Sequence, residues 1–182
     1  PIGFKNGTDG SASTAINAME AAARSHHFLG INKDGHAAIV TTTGNPDGHL
    51  VLRGGKQGTN YHAEAIEAAA AALAKDGLPA RVMVDCSHGN SNKDYRRQSE
   101  VAGQVAEQLR HGSPHVMGVM IESHLVAGSQ KIPTDLSQLD VKTLTYGQSI
   151  TDACIDLAST RELLAQLAGA VAEGQIPSLA AV

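Results

Sequence analysis

Four short apolar runs recur along the chain, and each ends in a cationic, imidazole or carboxylate side chain followed by small or polar residues. Ile2-Gly3-Phe4-Lys5 stops at Asn6-Gly7, Leu50-Val51-Leu52-Arg53 at Gly54-Gly55, Arg81 to His88 at Gly89-Asn90, and His115 to Glu122 at Ser123-His124. Apolar, β-branched runs bounded in this way read as strands. The segments between them change period. Ala15, Ile16, Met19 and Ala23 share one face of a helix opened by Ser11 or Ser13. Ala63 to Lys75 is nearly pure helix former, with Ile66, Ala69, Ala70 and Leu73 on one side and Gly77 and Pro79 behind it. Asn60 is its expected cap. Asp94 to Arg110 supplies a third helix with Val101, Val105 and Leu109 inward, for which Ser91 or Asn92 is the expected cap, and Thr160 to Ala172 a fourth. Strands alternating with helices predict an α/β fold with a parallel sheet, and in a parallel barrel the C-terminal strand ends face one shared site.

Two segments break the alternation. Phe28 to Asn32 and Ala37 to Thr43 flank a central Asp34-Gly35, which is a hairpin signal, so an antiparallel insertion of about residues 28–43 is expected beside the parallel core. Ser123 to Gln148 has no periodicity and holds Gly128 and Pro133, the signature of a long functional or disordered loop. Gly174 to Val182 reads as a tail.

Bulk properties narrow the class. With 182 residues and 42% hydrophobic content the chain can build a core. A net charge of -4 gives no electrostatic reason to expect nucleic acid or an anionic membrane as partner. No apolar run approaches the ~20 residues that span a bilayer, and a cytoplasmic location is expected. Cys86 and Cys154 do not form a disulfide framework and are expected as buried, reduced thiols. Pro1 opens the chain in mid-strand, so a natural N-terminus is expected upstream.

Candidate chemistry gathers at the strand tips. Alternation puts Val84, Cys86 and His88 on one face, and Gly118, Met120 and Glu122 on one face of the next strand. His88 and Glu122 then meet, and Asp152 arriving from the long loop completes a set of nitrogen and oxygen donors suited to a divalent ion such as Mn, Fe, Co or Zn; the alternative is three polar side chains bonding loop amides. Lys5 and Arg53 are cations on the earlier strands that either grip a phosphate, with the following glycines leaving room for it, or pair with Glu122 or Asp85 as structural salt bridges. His124, two positions past Glu122, is close enough to support the site.

Five ordered stretches carry a resemblance: Gly3-Phe4-Lys5-Asn6-Gly7-Thr8-Asp9-Gly10, Leu52-Arg53-Gly54-Gly55-Lys56, Asp85-Cys86-Ser87-His88-Gly89-Asn90-Ser91, Met120-Ile121-Glu122-Ser123-His124 and Ser149-Ile150-Thr151-Asp152-Ala153-Cys154. Together they resemble the class I, microbial 3-deoxy-D-arabino-heptulosonate 7-phosphate (DAHP) synthases. The resemblance implies a (β/α)8 TIM barrel, of which residues 1–182 correspond to the second half, strands five to eight. It implies condensation of phosphoenolpyruvate with erythrose 4-phosphate and water to DAHP and phosphate, the first step of the shikimate route to aromatic amino acids. It also places Lys5 and Arg53 on phosphoenolpyruvate, with Lys5 and His88 catalytic, and His88, Glu122 and Asp152 on a divalent metal ion. The hairpin corresponds to the family's inhibitor region, where Gly30 in place of serine suggests tyrosine as the aromatic amino acid effector. A homo-oligomer that includes the N-terminal half is expected.

The chain departs from the family's pattern in lacking a cysteine that completes the metal site and further cations for both phosphates. Cys86, about two rises or ~6.6 Å below His88 on an extended strand, is a poor substitute. Lys131 to Thr143 looks longer than usual. The rivals are an inactive half-barrel or amino-acid-binding regulatory module, and an octulosonate 8-phosphate synthase of the same barrel group.

Overall fold

The structure is a computed structural model and describes residues 1–174; of the expected tail, residues 175–182 lie outside the described residues. Four parallel strands form the central sheet: β1 (Ile2–Lys5), β4 (Gly48–Leu52), β5 (Val82–Asp85) and β6 (Val116–Met120), in the order β1-β4-β5-β6. Spatial order follows chain order with no reversal, so every crossover steps the same way. Helix α1 (Ser13–Ala23) connects β1 toward β4, α2 (Ala63–Lys75) joins β4 to β5, α3 (Gln98–Arg110) joins β5 to β6, and α4 (Leu157–Glu173) follows β6. All four helices send apolar side chains into one cluster with Leu50, Leu52, Val82 and Val84. Helices therefore cover a single face of the sheet.

The register tells what lies on the other face. Lys5, Val51, Met83 and Gly118 are aligned across the four strands, one residue out of phase with the helix-facing Leu50, Leu52, Val82 and Val84. The row above, one pleat toward the C-terminal tips, holds Asp85 beside Met120. Polar groups at the tips of an inner face and branched apolar groups beneath the helices are what a barrel wall requires.

The inward apolar faces match the spacing, but α3 begins at Gln98 and not Asp94, α4 begins at Leu157 and not Thr160, and the caps differ from expectation. No side chain caps α1 or α2, and Asn60 is used elsewhere. Before α3 the capping residue is Asp94, whose carboxylate accepts from the Arg96 amide and opens a short 3-10 turn, Tyr95–Arg97. Asp156 caps α4 by accepting from the Ser159 amide, three residues earlier than the apolar period alone suggests.

The expected hairpin is present and slightly longer at its start: β2 (His26–Ile31) and β3 (Ala37–Thr42) pair antiparallel from His26 and Thr42 to Ile31 and Ala37. It stands off the core, and Leu29, Ile31 and Ile39 on one of its faces are 78%, 75% and 76% exposed. The long segment after β6 is more ordered than its sequence suggests. β7 (Val126–Ser129) pairs parallel with the two-residue β8 (Gln148–Ser149), and the stretch between them contains 3-10 turns at Leu136–Gln138 and Val141–Thr143, each capped by an aspartate. No helix among the described residues is long and apolar enough to cross a membrane.

Candidate active site at the strand tips

Three loops meet at the C-terminal ends of β1, β4 and β5, and three asparagines stitch them together. Asn6 accepts from the Arg53 amide at 2.7 Å and from Asn60 Nδ2 at 3.1 Å, and donates to the Gly54 carbonyl at 3.1 Å. Asn60 accepts from the Gly54 amide at 2.7 Å. Asn90 accepts from the Asn60 amide at 2.9 Å and donates to the carbonyls of Leu52 at 3.0 Å and Asp85 at 2.9 Å. Each asparagine thus satisfies main-chain groups left unpaired where the ladder ends. The loops also touch directly. Gly54 has a φ of +68°, and a Cβ there would lie 2.6 Å from the Asn90 amide nitrogen; one at Gly89 would lie 2.7 Å from the Gly54 carbonyl carbon. These glycines serve backbone packing, not the ligand space expected for Gly54.

On this scaffold Asp85 is fully buried and makes three contacts. Its Oδ1 accepts from the Ser87 amide at 2.9 Å, while Oδ2 lies 2.8 Å from Lys5 Nζ and 2.9 Å from His88 Nδ1. Lys5 thus pairs with Asp85 and not with Glu122. The Nδ1–Oδ2 approach is off the imidazole N–H direction, so His88 Nδ1 is buried and lacks a well-formed hydrogen bond. Arg53 is held by its main chain alone, and its guanidinium makes no hydrogen bond or ion pair with the described residues.

His88 reaches the site by a route that alternation does not give. Val84 and Cys86 do share a face, but it is the helix-covered one, and Cys86 lies in the core cluster. The strand ends at Asp85, and the chain turns through Ser87 to Asp94 with His88, Asn92 and Lys93 in left-handed backbone, φ +50°, +52° and +61°. Such conformations cost roughly 1–3 kcal/mol each for side chains other than glycine and tend to cluster at functional sites. The result swings the imidazole to the inner side, with Nε2 3.8 Å from Glu122 Oε1.

Glu122 lies just beyond β6 and is held at both ends. Gln98, wholly buried at the start of α3, accepts from the Glu122 amide at 2.7 Å and donates to its carbonyl at 3.0 Å. Ser87 Oγ donates to Glu122 Oε2 at 2.6 Å. Asp152 comes from the turn after β8 and is exposed; its carboxylate accepts no hydrogen bond from the described residues. One donor atom from each of His88, Glu122 and Asp152 lies within 4.8 Å of the others. One imidazole nitrogen and two carboxylates at that spacing fit a divalent cation.

Neither thiol joins this cluster. Burial, helped by the neighbouring Asp85 charge, pushes the Cys86 thiol up to about 12, and burial also raises that of Cys154, whose Sγ contacts the Asp152 carbonyl. Both are free and buried, as expected. His124 does not support the site: its Nδ1 accepts from the Leu125 amide and its own amide donates to Ile155. The arginines after the turn are occupied at the surface, Arg96 by Asp94 and Arg97 by Glu100. Sequence reasoning missed Ser87, Gln98 and the three asparagines; a glutamine at a core-facing helix position was the one readable signal among them.

Comparison with known proteins adds identity to geometry. Residues 1–165 match the model of the DAHP synthetase I family. A tyrosine-inhibited phospho-2-dehydro-3-deoxyheptonate aldolase of Schizosaccharomyces pombe is 50% identical over 171 residues, covering 94% of this chain and 45% of that protein. The Phe-sensitive enzyme of the same name from Escherichia coli K12 is 48% identical over 171 residues, covering 94% and 47%. A solved structure of phospho-2-dehydro-3-deoxyheptonate aldolase from Francisella tularensis superposes with a TM-score of 0.83 at 46% identity, over 94% of this chain and 48% of that one. The chain spans about half the length of the relatives it matches. With the family model aligned across all five strand-tip motifs, the chain belongs to the DAHP synthetase I family.

Proposed function

We propose that residues 1–182 form the C-terminal half of a (β/α)8 barrel, hairpin included, and carry part of an active site that condenses phosphoenolpyruvate with erythrose 4-phosphate and water, giving DAHP and phosphate. The observation that carries this reading is the convergence of His88, Glu122 and Asp152 at the tips of an inner sheet face whose earlier strands end in Lys5 and Arg53. In a parallel barrel that end is where catalysis is built. A sheet with two open edges calls for the remaining strands before the site is complete.

In this reading His88, Glu122 and Asp152 hold a divalent ion, which when bound would act as a Lewis acid toward the aldehyde of erythrose 4-phosphate. Arg53 offers an unpaired planar fork to the phosphate or carboxylate of phosphoenolpyruvate. Lys5 adds a point charge, and its Nζ, already hydrogen-bonded to Asp85, is placed to donate a proton on the same face. Ser87 and Gln98 keep Glu122 aimed inward. The relatives' names tie them to tyrosine or phenylalanine inhibition, and we assign an aromatic amino acid effector to the hairpin region, tyrosine by virtue of Gly30. A cytoplasmic homo-oligomer completes the proposal.

The test uses the protein expressed from its complete reading frame. With Mn2+ present, phosphate release from phosphoenolpyruvate should require erythrose 4-phosphate. His88→Ala and Glu122→Ala should abolish turnover with circular dichroism unchanged. Normal turnover in either variant would remove the metal assignment, and no turnover in the unaltered protein would favour the regulatory half-barrel.

A further inference from the structure

We infer that Asp85 is the positioning residue of this site: its buried carboxylate orients His88 for ion ligation while anchoring Lys5 through the same oxygen. This role rests on the metal-site reading proposed above. Asp85 is immobilised to an unusual degree. Its carbonyl accepts from Asn90 Nδ2 at 2.9 Å, its Oδ1 accepts from the Ser87 amide at 2.9 Å, and it has no solvent exposure. Only Oδ2 remains, and it faces both Lys5 Nζ at 2.8 Å and His88 Nδ1 at 2.9 Å.

The consequence follows from donor and acceptor inventory. An ionised carboxylate can only accept, and a neutral imidazole has one N–H and one lone pair. Oδ2 lies 2.9 Å from Nδ1, off the ring's N–H direction, and a proton on Nδ1 is still the arrangement in which that contact is attractive, which leaves the lone pair on Nε2. It is Nε2 that faces Glu122, at 3.8 Å from Oε1. A carboxylate behind a ligating histidine sets tautomer and ring orientation, and removing such a partner typically costs 10–100-fold in metal affinity. Asp85→Asn preserves shape and can still offer an oxygen to the Ser87 amide. It then turns an NH2 toward Nδ1, which calls for the opposite tautomer and places the proton where the ion should be.

The experiment titrates Mn2+ alone, by calorimetry, into metal-stripped full-length protein and its Asp85→Asn variant, with thermal unfolding of each recorded in parallel. The unaltered protein should bind Mn2+, and the variant should bind about 10–100-fold more weakly whatever its change in Tm. A folded variant with a Kd within about twofold of the original would overturn the role and leave the metal site standing. No Mn2+ uptake by the unaltered protein would overturn the metal reading, and the role with it. Nitrogen-15 long-range spectra of histidine-labelled, metal-free protein give an answer that needs no variant: His88 should rest as the Nδ1–H tautomer, and finding it as Nε2–H would overturn the role.

Discussion

Asn90→Asp exchanges one NH2 for an oxygen, and the structure gives it an unusual pH signature. Asn90 is fully buried. Its Oδ1 accepts from the Asn60 amide, a bond the aspartate can keep, but Nδ2 donates to two carbonyls, Leu52 at 3.0 Å and Asp85 at 2.9 Å. An ionised carboxylate there faces two acceptors with nothing to offer. Leaving a buried acceptor unsatisfied costs roughly 1–3 kcal/mol, so two of them cost roughly 2–6 kcal/mol. Protonation restores one donor and recovers one of the two bonds, so the folded state holds the proton and the variant's carboxyl is driven up, as burial without a counter-charge does by as much as ~3–5 pH units. The sign is then determined. A folded pKa above the unfolded value of about 3.9 means that the protonated form's contribution is fully present below that value and is lost as pH rises through the folded pKa. Unfolding free energies from urea should differ between the two proteins by roughly 1–3 kcal/mol near pH 4, the one bond not recovered, and by several kcal/mol more at pH 8. A penalty independent of pH, or one larger in acid, would refute the assignment of those two bonds to Nδ2.

Other expectations can be checked separately. Cys86, pushed from an ordinary 9.0 to about 12 by burial, should contribute stability that is complete below pH 9 and lost above it, by up to about 4 kcal/mol; the alkaline loss of urea resistance should shrink in Cys86→Ala, and iodoacetamide should leave Cys86 unmodified at pH 8 in the folded protein. Arg53→Ala should raise KM for phosphoenolpyruvate by roughly 10–100-fold, the value of a charge-assisted bidentate contact, with urea stability nearly unchanged because Arg53 is held by its main chain; an unchanged KM would assign Arg53 to structure. Gly30→Ser should move inhibition from tyrosine toward phenylalanine while leaving kcat intact, since a Cβ there displaces a Val40 methyl 2.9 Å away, with Phe28 Cε2 at 3.7 Å, all within the hairpin; unaltered inhibitor preference would remove Gly30 from effector selection.

What the sequence made legible, and what it did not, divides along the range of the interactions. Strands and helices were readable because burial imposes its period locally: Ile66, Ala69, Ala70 and Leu73 had to share a face for α2 to pack, and they do. His88, Glu122 and Asp152 were also readable as a set, since β5 and β6 are neighbours in one parallel sheet whose ends point the same way and Asp152 follows β8 on the segment that returns to them. The face of His88 was not. Alternation was carried three residues past the last paired residue, Asp85, into a turn whose left-handed steps reverse the side chain's direction. β7 was hidden because Val126-Ala127-Gly128-Ser129 is short and its partner, Gln148–Ser149, is far along the chain. Asn60 had the right composition for a cap, but the unpaired Gly54 amide and Asn6 Oδ1 were closer claims on it than the first turn of α2. Caps and strand-tip networks compete for the same residue types, and only tertiary placement decides between them.

Charge balance links these details to the proposed chemistry. The inner tips gather three carboxylates, Asp85, Glu122 and Asp152, against two cations, Lys5 and Arg53. Asp85 and Lys5 neutralise each other at 2.8 Å inside the protein, where an unpaired charge would be costly. That leaves Glu122 and Asp152 beside the His88 ring, two carboxylates and a nitrogen that a divalent ion would match without disturbing the pair behind it. Arg53 is then the cation with no carboxylate partner among the described residues, one strand away with its main chain held by Asn6, and its charge is the more available of the two to an anionic substrate. If Asp85 were lost, Lys5 would join Arg53 as a second free cation while His88 lost its backing, so the site would gain attraction for anions as it lost its grip on the metal. A variant that binds phosphoenolpyruvate as well as before or better, yet fails to hold Mn2+, is therefore the specific phenotype this arrangement implies for Asp85→Asn.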